Sequence, residues 1–241
     1  MAKLDLLWGP TSRLDRDRPK TLADEAFRKI RDDIVRGSLA PGEKLQPDLL
    51  RARYAIGVNP VREALSRLAA DGLTVAEGQR GFFVAPISIG ELDDITDLRI
   101  DLSVKALTLA IQFGNDEWES QLVGASYQLD KLIHPMEENP AAFYDEWERR
   151  NRAFHGALGA GCRSPWLIHL CELLYDQSER YRRQFENHVQ PRPEIHDEHR
   201  VMMSAALRRD ATTACALLAH HIRCGGDAVR ELMQRASRHN L

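Results

Sequence analysis

The 241-residue chain lacks any apolar run near the roughly 20 residues that a membrane-spanning helix needs. Its opening stretch, Met1–Lys20, mixes charged and apolar residues and has no continuous hydrophobic core of a signal peptide. A loose tail over Met1–Pro19 and a cytoplasmic location are expected. The four cysteines form no C-x-x-C pair. Cys162 and Cys171 are nine residues apart, as are Cys215 and Cys224, a spacing that fits neither a zinc ribbon nor a redox motif. Reduced thiols packed among helices are expected. No H-E-x-x-H and no paired-carboxylate motif supplies an acid or base beside a metal, so an enzyme is not expected. Internal repeats and low-complexity segments are absent as well. What remains is ordinary for a folded domain: 43% hydrophobic and 29% charged residues.

The net charge of −3 gives no global bias towards nucleic acid, but it is unevenly spread. Met1–Ile87 holds 15 Lys and Arg against 12 Asp and Glu, a balance of +3, and the remainder carries −6. The basic excess is small and has the sign that phosphate contact requires.

Thr21 followed by Asp24 reads as a helix start, since a Thr cap satisfies free N–H groups of the first turn. Leu22, Phe27, Ile30 and Ile34 recur at helical spacing behind it, and Gly37 ends the helix. Pro41-Gly42 makes a turn, and a short helix from about Pro47 to Tyr54 follows before Gly57 breaks the chain. Asn59-Pro60 reads as the cap and first turn of a third helix, with Val61, Leu65 and Leu68 on its apolar face and Asp71-Gly72 at its end. Leu73–Ala76 and Phe82–Ala85 then flank a glycine-containing bend as a hairpin. Three helices and a hairpin in some 65 residues is the order of a winged helix-turn-helix. Beyond Pro86 and Ser88 no strand pattern appears, and six or seven helices are expected from Gly90 to His239. The fold class is therefore mainly α. A winged helix is expected over residues 20–87 and an all-helical bundle over 88–241.

The segments Pro41-Gly42-Glu43-Lys44-Leu45, Pro60-Val61-Arg62-Glu63-Ala64-Leu65, Gly72-Leu73 and Arg80-Gly81 together closely resemble the GntR superfamily of bacterial transcription regulators. The match covers Thr21–Pro86. The resemblance implies a DNA-binding regulator, usually a repressor, that acts as a homodimer on a two-fold operator. A recognition helix puts its first side chains at base edges, so Arg62 is expected to read guanine and Asn59 to meet a phosphate or base. Arg67 lies a turn further on. Arg51 and Arg53 on the second helix face the DNA backbone in this reading, and Arg80 on the wing enters the minor groove. Arg53 and Arg67 are equally well read as solvated or ion-paired. The common family form carries S-R-T before the P-V-R-E motif. Here Ile56-Gly57-Val58-Asn59 stands in its place, without that additional arginine.

The remainder resembles the FadR branch, whose sensor is the FCD domain. Arg99 with Ala106 and Ala110, Asn151-Arg152-Ala153-Phe154-His155, Glu198-His199 to Ala206, and His221 carry the resemblance, from about Ser88 to Gln234. In metal-binding relatives an Asp and three His are ligands, which maps onto Asn151, His155, His199 and His221. A divalent ion of the Zn, Ni or Mn type is implied, with Asn151 in the place of the carboxylate. Asn151 and His155 are one helical turn apart, so both can face one centre. The alternative reading of the same histidines is core residues or ligand donors without a metal. Arg99 is placed to hold a carboxylate, so a small organic acid is the expected effector, with an internal Arg–acid pair as the alternative. A regulator for which the ion is itself the signal shares this fold. His221 is preferred over His220, and His196 is expected at the surface.

Overall fold

The computed structural model describes residues 21–185 and 194–239. The chain folds into two compact units. One comprises the described part of Arg13–Leu92 together with Asp176–Gln184. The other comprises Asp93–Tyr175 with the described part of Phe185–Leu241.

In the first unit, α1 (Leu22–Val35) starts where expected, with the Thr21 hydroxyl accepting from the Asp24 N–H at 3.1 Å. Its buried stripe is Ala23, Ala26, Ile30 and Ile34, while Leu22 is exposed, so the apolar face begins one residue later than the sequence pattern indicated. Gly37 follows the helix with φ +77°, a conformation that glycine adopts without strain. Next comes a strand that the sequence reading missed, β1 (Lys44–Leu45). Two residues are too few to show alternation. The strand exists because it pairs antiparallel with β3 (Phe82–Val84), and β2 (Thr74–Ala76) pairs on the other side to give the order β1-β3-β2.

Helix α2 (Pro47–Tyr54) ends on Ala55, which takes the left-handed conformation (φ 55°). The break therefore lies two residues before the expected Gly57. Helix α3 (Val58–Ala70) is capped by Gly57, not by Asn59, which is already its second residue. Proline lacks an N–H and is tolerated anywhere in the first turn, where those groups have no helical partner, so Pro60 did not mark the first position. Val61, Ala64, Leu65 and Leu68 are fully buried and pack with Ile30, Ile34, Leu45, Leu50 and Val84 into one core.

The unit is completed by the last turns of α8 (Pro165–Arg183), far along the chain. Gln177 Nε2 donates to the Asp71 carbonyl at 2.8 Å, and Arg31 pairs with Asp176 at 3.4 Å. Arg180, fully buried, donates to the Ala85 carbonyl at 3.0 Å and to Glu91 at 3.2 Å. The Tyr181 hydroxyl bonds to Glu91 and to the backbone of Ser88. Burial pulls the Arg180 pKa down, and Glu91 opposes that shift.

The second unit contains no strand among its described residues and is built from α4 (Ile89–Phe113, whose first turn belongs to the other unit), α5 (Asp116–Asp130), α6 (Ile133–Glu138), α7 (Pro140–Gly159), the first part of α8, α9 (Glu194–Leu207) and α10 (Ala211–His239). Side-chain caps start several of these helices. Asn115 accepts from Trp118 N at 3.1 Å, Asn139 from Ala142 N at 3.2 Å and Asp210 from Thr213 N at 3.0 Å. Leu107, Trp118, Leu122, Phe154, Leu158, Met202, Leu218 and Ile222 form the core. Helix α10 approaches α4 so closely that a Cβ on Gly226 would lie 2.7 Å from Thr96 Oγ1. No helix among the described residues is long and apolar enough to cross a membrane.

Candidate functional site

Two sites follow from this frame, one in each unit. In the first, burying Val61, Ala64, Leu65 and Leu68 turns the opposite face of α3 to solvent. Asn59 and Arg62 lie on that face near the helix start, and both are exposed. Arg62 has no ion-pair partner among the described residues, and Arg51 on α2 is likewise exposed and unpaired there. Arg80, on the 3-10 turn between β2 and β3, is 78% exposed and pairs locally with Glu77 at 2.9 Å. The two arginines that the sequence left between roles are engaged within the unit. Arg53 bonds to Asp33 at 2.7 Å, and Arg67 bonds to Asp24 at 2.8 Å with its guanidinium over the Phe27 ring.

In the second unit, His155 (α7), His199 (α9) and His221 (α10) converge, with candidate ligand atoms all within 4.8 Å of one another. Their ring centroids are 4.6 to 5.4 Å apart. Each helix brings its histidine inward because a core residue three positions away shares its face: Leu158 with His155, Met202 with His199 and Leu218 with His221. The Nε2 atoms of His199 and His221 are 3.2 Å apart. Two nitrogens each ~2.0 Å from a tetrahedral ion stand ~3.3 Å apart, so this pair is already at ligand spacing. Glu198 accepts from His221 Nδ1 at 2.7 Å, which fixes that ring and makes Nε2, turned towards His199, its lone-pair nitrogen. His199 is almost wholly enclosed. Burial, and then the neighbouring His221 and His196, hold its pKa well below the usual value, so it is a neutral imidazole.

Asn151 lies one turn before His155 on α7 and is 4% exposed. Its Nδ2 donates to the Tyr175 hydroxyl at 2.9 Å, while its Oδ1 is buried without a hydrogen-bond partner among the described residues. The Tyr175 ring stands 5.9 Å from His155 and meets two guanidiniums, Arg99 at 4.7 Å and Arg152 at 4.4 Å. Arg99 thus belongs to the same neighbourhood as the histidines. His220, the rival of His221, is exposed and faces Cys224.

His196 is a correction: it is 7% exposed, not a surface residue. It precedes His199 by three positions and so shares its inward face. The sequence reading also missed Tyr175, Arg152 and the ring-orienting role of Glu198. Of these, only Glu198 carried a local signal, its place beside His199.

Comparison with known proteins agrees with this architecture. Residues 22–84 match the gntR family of bacterial regulatory proteins, and residues 94–223 match the FCD domain. The chain is 39% identical over 202 residues to the HTH-type transcriptional repressor GlaR of Escherichia coli (strain K12), covering 82% of this chain and 91% of GlaR. The protein belongs to the GntR family, in its FadR-like branch with an FCD domain. It is a DNA-binding transcriptional regulator, and its relatives are regulators rather than enzymes. A second relative, the HTH-type transcriptional regulator BphR of Paraburkholderia xenovorans (strain LB400), is 37% identical over 212 residues, or 88% of this chain and 86% of BphR. Among solved structures, E. coli McbR/YncC superposes with a TM-score of 0.76 at 19% identity, over 88% of the regulator and 99% of McbR, and so supports the fold.

Proposed function

We propose that the regulator is a homodimeric repressor that reads a two-fold operator through Arg62 and is released by a small organic acid bound beside a divalent ion. The observation that carries the DNA half is the outward, unpaired Arg62 near the start of α3. A guanidinium there can form the bidentate pair to guanine that defines a base-reading contact. Asn59 sits beside it, within reach of a phosphate or base, and Arg51 is free for a phosphate. Arg80 on the exposed wing suits the adjacent minor groove. Arg53 and Arg67, each committed to a carboxylate, shape the domain and contribute less to DNA. Repression is the stated action of the relative GlaR.

In the sensor, His155, His199 and His221 would hold the ion, with the buried Asn151 Oδ1 as a further donor. The 3.2 Å nitrogen spacing and the Glu198 bond to His221 support this assignment. A bound divalent ion supplies a Lewis-acidic point for a carboxylate or hydroxyl oxygen. Arg99 and Arg152, placed about Tyr175, would orient the rest of an anionic effector.

Fluorescence anisotropy with DNA from upstream of the regulator's own gene tests the reading. Salt-sensitive, sequence-preferring binding that weakens when an acid and a divalent ion are added is expected. Binding that never prefers that DNA over scrambled sequence overturns the regulator's proposed mode of reading.

A further inference from the structure

We infer that the uncharged Asn151 couples ion binding and acid binding in the sensor, so that the ion is held more tightly when an anion shares the site. This rests on the proposed ion site and adds a rule for how it fills. The donor set is neutral throughout. The atoms offered by His155, His199 and His221 are imidazole nitrogens, and Asn151 adds an amide oxygen. Among the described residues no carboxylate belongs to the histidine group. The nearby acid, Glu198, is spent on the outer nitrogen of His221, on the far side of that ring from the ligand atom.

A divalent ion moved from water into an enclosed site needs compensating negative charge. His199 is 1% exposed and Asn151 is 4% exposed, while His155 and His221 are partly exposed, so solvent screens only one side of the site. Imidazoles and an amide supply only dipoles, and the Glu198 carboxylate, one ring removed, offsets the double charge only in part. The chain therefore leaves the neutralising role to the ligand: a carboxylate that reaches the ion lowers the cost of burying it. Linkage makes the effect reciprocal, and the ion raises affinity for the acid by the same factor. The bond from Nδ2 to the Tyr175 hydroxyl, at 2.9 Å, leaves Oδ1 as the buried acceptor. The site thereby acts as a two-input detector, filled most readily when an ion and an organic acid are both present.

The test uses the full chain with Co²⁺ as the ion, whose visible absorption reports its ligands. Acetate serves as the anion, and acetamide is its neutral counterpart at equal ionic strength. For the wild type, the Co²⁺ Kd is expected to fall roughly 5- to 150-fold in acetate relative to acetamide, the usual range of coupling between two ligands. In Asn151→Asp the carboxylate is built in, so Co²⁺ binds tightly in acetamide and acetate changes its Kd by less than about twofold. Asn151→Ala, also neutral, binds more weakly in both solutions and keeps the acetate dependence. Equal wild-type Kd values in acetate and acetamide overturn the inference and leave the ion site standing. The same holds if Asn151→Asp keeps the wild-type dependence while its thermal melt shows it folded. Absence of Co²⁺ binding in every variant and solution removes the ion site itself, and this inference with it.

Discussion

Replacing Arg62 with Ala separates base reading from simple charge attraction. Its side chain is exposed and has no ion-pair partner among the described residues, so its loss is expected to change folding stability by less than about 0.5 kcal/mol. A bidentate arginine–guanine pair is worth about 1–3 kcal/mol of discrimination, which corresponds to roughly a 5- to 150-fold loss of operator affinity. Affinity for random DNA would fall far less, since only one charge is removed. Arg51→Ala gives the contrasting signature. Exposed on α2, it is expected to weaken operator and random DNA alike and to reduce the slope of log affinity against log salt by about 0.9. Anisotropy titrations of both variants between about 50 and 200 mM salt, with operator and scrambled duplexes, distinguish the two. If Arg62→Ala weakens both duplexes equally, the outward face of α3 does not read sequence and the reasoning fails.

Three further outcomes concern stability. Gly226→Ala would normally strengthen a helix, but here the new Cβ would meet Thr96 Oγ1 at 2.7 Å and Cγ2 at 2.9 Å. A loss of about 1–3 kcal/mol is expected, and a raised Tm would contradict it. Glu91→Ala leaves the fully buried Arg180 guanidinium without its carboxylate and should cost about 2 kcal/mol in urea unfolding, the partial exposure of Glu91 keeping the figure modest. Hydrogen bonds from Arg149 and then Arg150 hold the Glu146 carboxyl at about 2, below its ordinary 4.5. A lowered carboxylate pKa stabilises above the unfolded value, so the Tm gap between wild type and Glu146→Gln should be full above 4.5 and vanish as pH falls towards 2. The pair is partly exposed and worth less than about 1 kcal/mol.

Features written in local chemistry were legible from the sequence. Thr21 capped its helix, the P-V-R-E-A-L segment formed the helix that presents Arg62, and the three histidines met across α7, α9 and α10. Features set by distant partners were not. Strand β1 owes its existence to β3, some forty residues away, and no two-residue pattern announces that. Tyr175 lies on α8 with no motif around it, and only the packed bundle brings its hydroxyl to Asn151 and its ring beneath Arg99. His196 was expected at the surface, with no motif of its own to place it. Three residues from His199, it turned inward with that helix face.

The bonds from Gln177 and Arg180 to the carbonyls of Asp71 and Ala85 mean that the DNA-reading module is not one uninterrupted stretch of gene. A fragment ending shortly after the wing would carry α3 intact yet strip two main-chain oxygens of their donors and uncover the surface on which Tyr181 rests. Anyone grafting this headpiece onto another protein would need to supply a surrogate for those nine residues, or accept a looser reader of DNA.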